Sequence, residues 1–90
     1  MSKTNAFFPK FVSVMPEVLL GSILYISMEF AIAIHNCPCG CGFESVTPLG
    51  EKGWSFDYNF DKMEATLRPS IFNVNCGAHY FIVNNIVKWD

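Results

Sequence analysis

The sequence is short of charge. Asp, Glu, Lys and Arg make up 16% of its 90 residues, and the net charge is −2. The six basic residues (Lys3, Lys10, Lys52, Lys62, Lys88 and Arg68) are scattered along the chain. A surface that tracks nucleic-acid phosphates needs a basic stripe, so a nucleic-acid partner is excluded. Uncharged apolar runs of membrane-spanning length are also missing. Val18 to Met28 covers only 11 residues before Glu29 interrupts it, against the roughly 20 that a spanning helix requires. The first ten residues lack the basic-then-apolar layout of a secretion signal. A soluble, cytoplasmic protein with no membrane contact is therefore expected. Histidine is scarce too: His35 and His79 are the only imidazoles available for acid–base work near neutral pH.

What the chain does have is apolar mass. Hydrophobic residues make up 51% and aromatics 16%, which excludes disorder. A single domain over residues 1–90 is expected, with an N-terminal arm or irregular strand at 1–16 and a zinc-binding β domain at 24–89. A chain this small buries only about 60–65% of its unfolded surface, so a staple would help it fold.

The local patterns are those of strands. Leu24 to Phe30 is dense in β-formers, although a helix is compatible with Met28, Glu29 and the alanines that follow. Trp54, Phe56, Tyr58 and Phe60 alternate with Ser55, Asp57 and Asn59, the period of a half-buried strand. Glu64 to Leu67 returns as a hairpin partner, Pro69 is expected to stop that strand, and Ser70 to Val74 follows as another. Asn84-Asn85 between Tyr80–Val83 and Ile86–Trp89 signals a type I′ hairpin, because Asn tolerates positive φ. The expected fold class is mainly β: a small antiparallel domain of hairpins with a zinc-ribbon-like site.

The staple is legible in the cysteines. Cys37, Cys39 and Cys41 sit in a Pro/Gly-rich knuckle, and Cys76-Gly77-Ala78-His79 follows 35 residues after Cys41. Thiolates and an imidazole in two clusters divided by β structure are the layout of a structural zinc site. Cys37, Cys39, Cys41, Cys76 and His79 give five candidates for the four positions around one zinc ion. Disulfides between such close neighbours would be strained.

Several segments together resemble one bacterial family. They are Leu24-Tyr25-Ile26-Ser27-Met28-Glu29, His35-Asn36-Cys37-Pro38-Cys39-Gly40-Cys41-Gly42, Val46-Thr47-Pro48-Leu49, Trp54, Leu67-Arg68-Pro69-Ser70-Ile71, Cys76-x-x-His79-Tyr80 and Asn84 to Trp89. The combination is similar to the bacterial and phage family of domain of unknown function 6527. Some members of that family are encoded beside ubiquitin-like proteins and E1-like and E2-like enzymes. The resemblance implies a role in processing or removing a ubiquitin-like modifier, with that modifier or its E1-like or E2-like enzymes as partners.

A hydrolase needs a nucleophile and a base. With His79 assigned to zinc, His35 is the remaining base, Ser70 the candidate nucleophile and Glu29 the carboxylate that orients the imidazole. Ser70 could equally cap a turn, His35 could serve the metal, and Glu29 could be an exposed strand carboxylate. The competing function classes are a non-catalytic zinc-ribbon adaptor that binds ubiquitin-like pathway proteins through an aromatic surface, and a structural subunit.

Overall fold

Period-two alternation dominates the chain, and eight strands result among the described residues. The computed structural model describes residues 4–90, so residues 1–3 of the expected arm lie outside it. The strands are β1 (Phe8–Phe11), β2 (Ile23–Ser27), β3 (Ile32–Asn36), β4 (Glu44–Pro48), β5 (Ser55–Asn59), β6 (Glu64–Asn73), β7 (Ala78–Val83) and β8 (Ile86–Trp89). They form two four-stranded sheets, in the orders β1-β2-β3-β4 and β5-β6-β7-β8. Every pairing is antiparallel except that of β1 with β2. Among the described residues no helix is long and apolar enough to cross a membrane.

Both sheets contribute to one core. Leu24, Ile26 and Ala33 from the first sheet cluster with Leu67, Ile71, Tyr80 and Ile82 from the second. Phe7, just before β1, is buried in the same cluster, and the segment around it joins the sheets. The Phe7 amide donates to Asn85 O at 2.8 Å, the Val87 amide donates to Asn5 O at 2.8 Å, and the chain then enters β1 beside β2. Trp54, just before β5, and Phe56 and Tyr58 on β5 pack on the core as their alternation predicts, while Phe60 is 79% exposed.

A buried polar network crosses the core between the sheets. His35 Nε2 on β3 lies 2.7 Å from the Tyr80 hydroxyl on β7. The Asn73 amide donates to that hydroxyl at 3.1 Å, and Ser45 donates to Asn73 Oδ1 at 3.0 Å. Such a network fixes the relative placement of its strands, because slippage would leave buried polar groups unpaired.

The Asn84-Asn85 turn forms as expected, with φ of 50° and 72°. The turn bonds back to β6: the Ala65 backbone amide donates to the Asn85 side-chain Oδ1 at 2.7 Å, and the Asn84 backbone amide donates to Thr66 Oγ1 at 2.9 Å. The expectation that Pro69 ends a strand is corrected. β6 runs through Pro69, and the interruption appears as a register shift. Leu67 pairs with Ile82 and Ile71 with Tyr80, so Arg68, Pro69 and Ser70 stand opposite the single residue Phe81.

Candidate active site and cysteine cluster

The register shift in β6 sets the position of Ser70. Bulges release a strand from its ladder and re-aim the extra side chains, and here the serine hydroxyl reaches an imidazole on the next strand. Ser70 Oγ lies 2.8 Å from His79 Nε2. His79 pairs with Phe72 across the β6–β7 ladder, so Ser70 is its diagonal neighbour. Diagonal pairs are within reach of long side chains.

The far side of the imidazole meets β8. The hairpin turn sets Val83 against Ile86 and Tyr80 against Trp89; the next step sets His79 against Asp90. His79 Nδ1 lies 2.9 Å from Asp90 Oδ2, and the Asp90 amide donates to His79 O at 3.0 Å. A hydroxyl on β6, an imidazole on β7 and a carboxylate on the residue just after β8 thus stand in line. The site is open to solvent, with the side chains of His79 and Asp90 38% and 59% exposed. Phe72 approaches the His79 ring edge-on at 5.8 Å between centroids, and Phe81 lies tilted at 6.4 Å. These contacts restrict the rotation of the imidazole.

The expected grouping of Ser70 with His35 and Glu29 does not form. Alternation along β3 turns His35 inward with Ala33, and both are fully buried. Its Nε2 is held by Tyr80, and burial lowers its pKa to about 4, which keeps the ring neutral. Glu29 lies on the exposed turn between β2 and β3. His79, which the Cys-x-x-His spacing assigned to metal, has one nitrogen on Ser70 and the other on Asp90. Asp90 was missed altogether. The signal for it was available: counting outward from a two-residue turn at Asn84-Asn85 sets residue 79 opposite residue 90.

The other sequence feature is drawn together. The sulfurs of Cys37, Cys39, Cys41 and Cys76 all lie within 4.8 Å of one another. Cys37 Sγ is 3.4 Å from that of Cys39 and 3.6 Å from that of Cys76, and none of the four forms a disulfide. Tetrahedral zinc with Zn–S bonds of about 2.3 Å sets its sulfurs about 3.8 Å apart, so the donor set and its spacing fit such an ion. Gly40 and Gly42, both at φ of 88°, allow the knuckle to fold three thiols inward, a backbone conformation that side chains disfavour. Burial pushes the Cys37 thiol up to about 12. The Phe43 amide, which donates to Cys41 Sγ at 3.5 Å, is the main reason the Cys41 thiol falls to about 7.

The cluster reaches the hairpin that carries the site. Cys76 lies in the turn that joins β6 to β7, three residues before His79, and the Gly77 amide in that turn donates to Asn73 O at 2.8 Å. Cross-linking Cys76 to the knuckle would fasten the hairpin that carries Ser70 and His79.

No curated protein and no solved structure matches the chain. Residues 11–90 match the model of one family, whose ubiquitin-like association agrees with the one the resemblance implies, under a different family name. The chain belongs to that family, described as BubE, the bacterial ubiquitination-like system serine protease.

Proposed function

We propose that the protein is a serine hydrolase that cleaves an acyl bond in a ubiquitin-like modifier or its conjugate, with Ser70 as nucleophile, His79 as general base and Asp90 as the carboxylate that orients it. The observation that carries this reading is the continuous bonding from Ser70 Oγ through His79 to Asp90 Oδ2. A carboxylate on Nδ1 favours the tautomer that holds its proton there and leaves the Nε2 lone pair free to accept from the serine hydroxyl.

The steps follow from that arrangement. Ser70 Oγ attacks the scissile carbonyl as its proton passes to His79 Nε2, while Asp90 stabilises the resulting imidazolium. The tetrahedral adduct collapses as His79 returns the proton to the leaving nitrogen, and an acyl ester remains on Ser70. Water activated by the same imidazole then hydrolyses the ester.

Zinc held by Cys37, Cys39, Cys41 and Cys76 fits beside this chemistry as a structural ion. Four protein thiolates would satisfy such an ion, which would then serve the fold rather than supply a bound water for the reaction. Free thiols of this kind persist in the reducing cytoplasm, and membership of a ubiquitination-like system supports a ubiquitin-like protein or its E1-like and E2-like enzymes as the proposed partners.

The test is direct. Ser70→Ala should abolish cleavage of the modifier, and the folded chain should lose its reaction with a fluorophosphonate, which phosphonylates activated serines. Unchanged cleavage by Ser70→Ala would overturn the reading.

A further inference from the structure

Among the cavities that the catalytic reading leaves unused, one lies on the flank of Ser70 away from His79. β6 lies between β5 and β7 in its sheet. The imidazole comes from β7. On the β5 side a cavity of about 720 Å³ is lined by Met28, Trp54, Phe56 and Pro69, with Glu51 and Arg68 among its polar groups. Pro69 immediately precedes Ser70, so the cavity and the reacting oxygen are one residue apart on the same strand. The volume lies in the range of pockets that receive specific ligands.

The strand ladder leaves room for a polypeptide there. β5 pairs with β6 from Asn59–Glu64 to Ser55–Arg68 and no further, whereas β6 continues to Asn73. The ladder on this flank therefore ends two residues short of Ser70. A strand edge of this kind accepts an extended peptide by main-chain pairing, while adjoining pockets select its side chains.

The chemistry of the proposed triad orients the substrate. His79 returns its proton to the leaving nitrogen, so the leaving group lies on the β7 flank. The acyl portion then extends over the β5 flank, toward the cavity. Glu51 and Arg68 carry opposite charges, which leaves the thioether of Met28, the rings of Trp54 and Phe56 and the ring of Pro69 to decide what fits.

We infer that this cavity is the acyl-side binding groove of the enzyme and receives a large apolar side chain, at the scissile carbonyl, of an extended polypeptide substrate. The inference rests on the serine-hydrolase reading. Its test separates the two. Wild-type protein is first treated with a small fluorophosphonate, and the modified residue is identified by mass spectrometry. Absence of the adduct on Ser70 overturns the hydrolase reading and the groove with it.

Once Ser70 is identified as the labelled residue, untreated protein is assayed with coumarylamide peptides ending in Leu, Phe, Asp or Lys. The Leu and Phe peptides should exceed the Asp peptide in kcat/KM by about tenfold or more, the scale at which apolar pockets discriminate. Met28 is 62% exposed, so its replacement spares the core. Met28→Lys should narrow or reverse the Leu-to-Asp ratio, a change that partial unfolding cannot produce because the ratio is internal to one preparation. Equal rates for Leu and Asp, an unchanged ratio in Met28→Lys, or labelling of Ser70 without cleavage of any peptide would each overturn the groove while leaving the hydrolase reading intact.

Discussion

His79 and Asp90 face each other across the β7–β8 ladder and are joined twice, by the imidazole to the carboxylate at 2.9 Å and by the Asp90 amide to the His79 carbonyl at 3.0 Å. The backbone bond fixes where the carboxylate stands, and the side-chain bond fixes which imidazole nitrogen carries the proton. Asp90→Asn keeps the first and reverses the preference behind the second. Loss of the corresponding buried carboxylate in serine proteases lowers kcat about 10⁴-fold. Asp90 is more than half exposed, and water can take over part of its role. The expected loss is therefore smaller, about 10²-fold, and it should fall on kcat with little change in KM. Steady-state kinetics of the variant against wild type checks both.

The two histidines should separate cleanly on substitution. His79→Gln removes the group bonded to Ser70 at a partly exposed position, so activity should vanish while the melting temperature changes by no more than a few degrees. His35 is fully buried with its Nε2 on Tyr80. His35→Ala creates a cavity and strips a buried hydroxyl of a partner, for a cost of about 2–4 kcal/mol. In a domain of this size that is a fall of about 10–25 °C in melting temperature. Thermal melts and fluorophosphonate labelling of the two variants distinguish them.

The sequence carried the strands better than the site. Alternation at Trp54–Phe60 and the Asn84-Asn85 turn both have local causes, side-chain period and tolerance of positive φ, and both appear in the structure. The four cysteines were equally visible because soft ligands near glycines form a recognisable pattern. His79 reads as a ligand because it stands three residues after Cys76, whereas the structure sets it against Ser70 and Asp90; spacing alone does not tell a ligand from a neighbour. What drew it away is a register shift at Arg68–Ser70, a tertiary feature. A proline reads locally as the end of a strand, and nothing local shows that β6 resumes beyond it. Asp90 was hidden for a different reason. A strand partner is found only by following the hairpin register outward, and an exposed carboxylate gives no hydropathy signal.

Metal removal should affect stability first and activity as a consequence. The proposed zinc would tie Cys76, in the β6–β7 turn, to the knuckle at residues 37–41. Protein purified in its reduced state should contain about one zinc ion per chain. A strong chelator should lower the melting temperature and abolish labelling of Ser70, and added zinc should restore both together. Cys76→Ser should reproduce the chelated state at saturating zinc. Metal analysis paired with the melts provides the check, and a folded, fully active metal-free protein would exclude a structural ion.

Tyr80 links the buried network to the strand that carries His79, because it follows His79 on β7 and its hydroxyl meets both His35 and Asn73. Its ring is fully buried, with a centroid 5.6 Å from that of Trp89, and burial raises the pKa of its phenol. It therefore stays neutral through the range in which the enzyme would work. Tyr80→Phe keeps the ring and deletes only the hydroxyl, leaving His35 Nε2 and the Asn73 amide without that partner. The loss should be about 1–3 kcal/mol, the cost of buried polar groups left unsatisfied. Asn73 also accepts from Ser45 on β4, so the damage reaches the contact between the sheets rather than the Ser70–His79 pair. Chemical denaturation should accordingly show a lower midpoint in Tyr80→Phe, while kcat at 25 °C stays within about threefold of wild type, a difference of less than 1 kcal/mol in the barrier. A collapse of kcat in a variant that remains folded would instead place the hydroxyl in the catalytic chain.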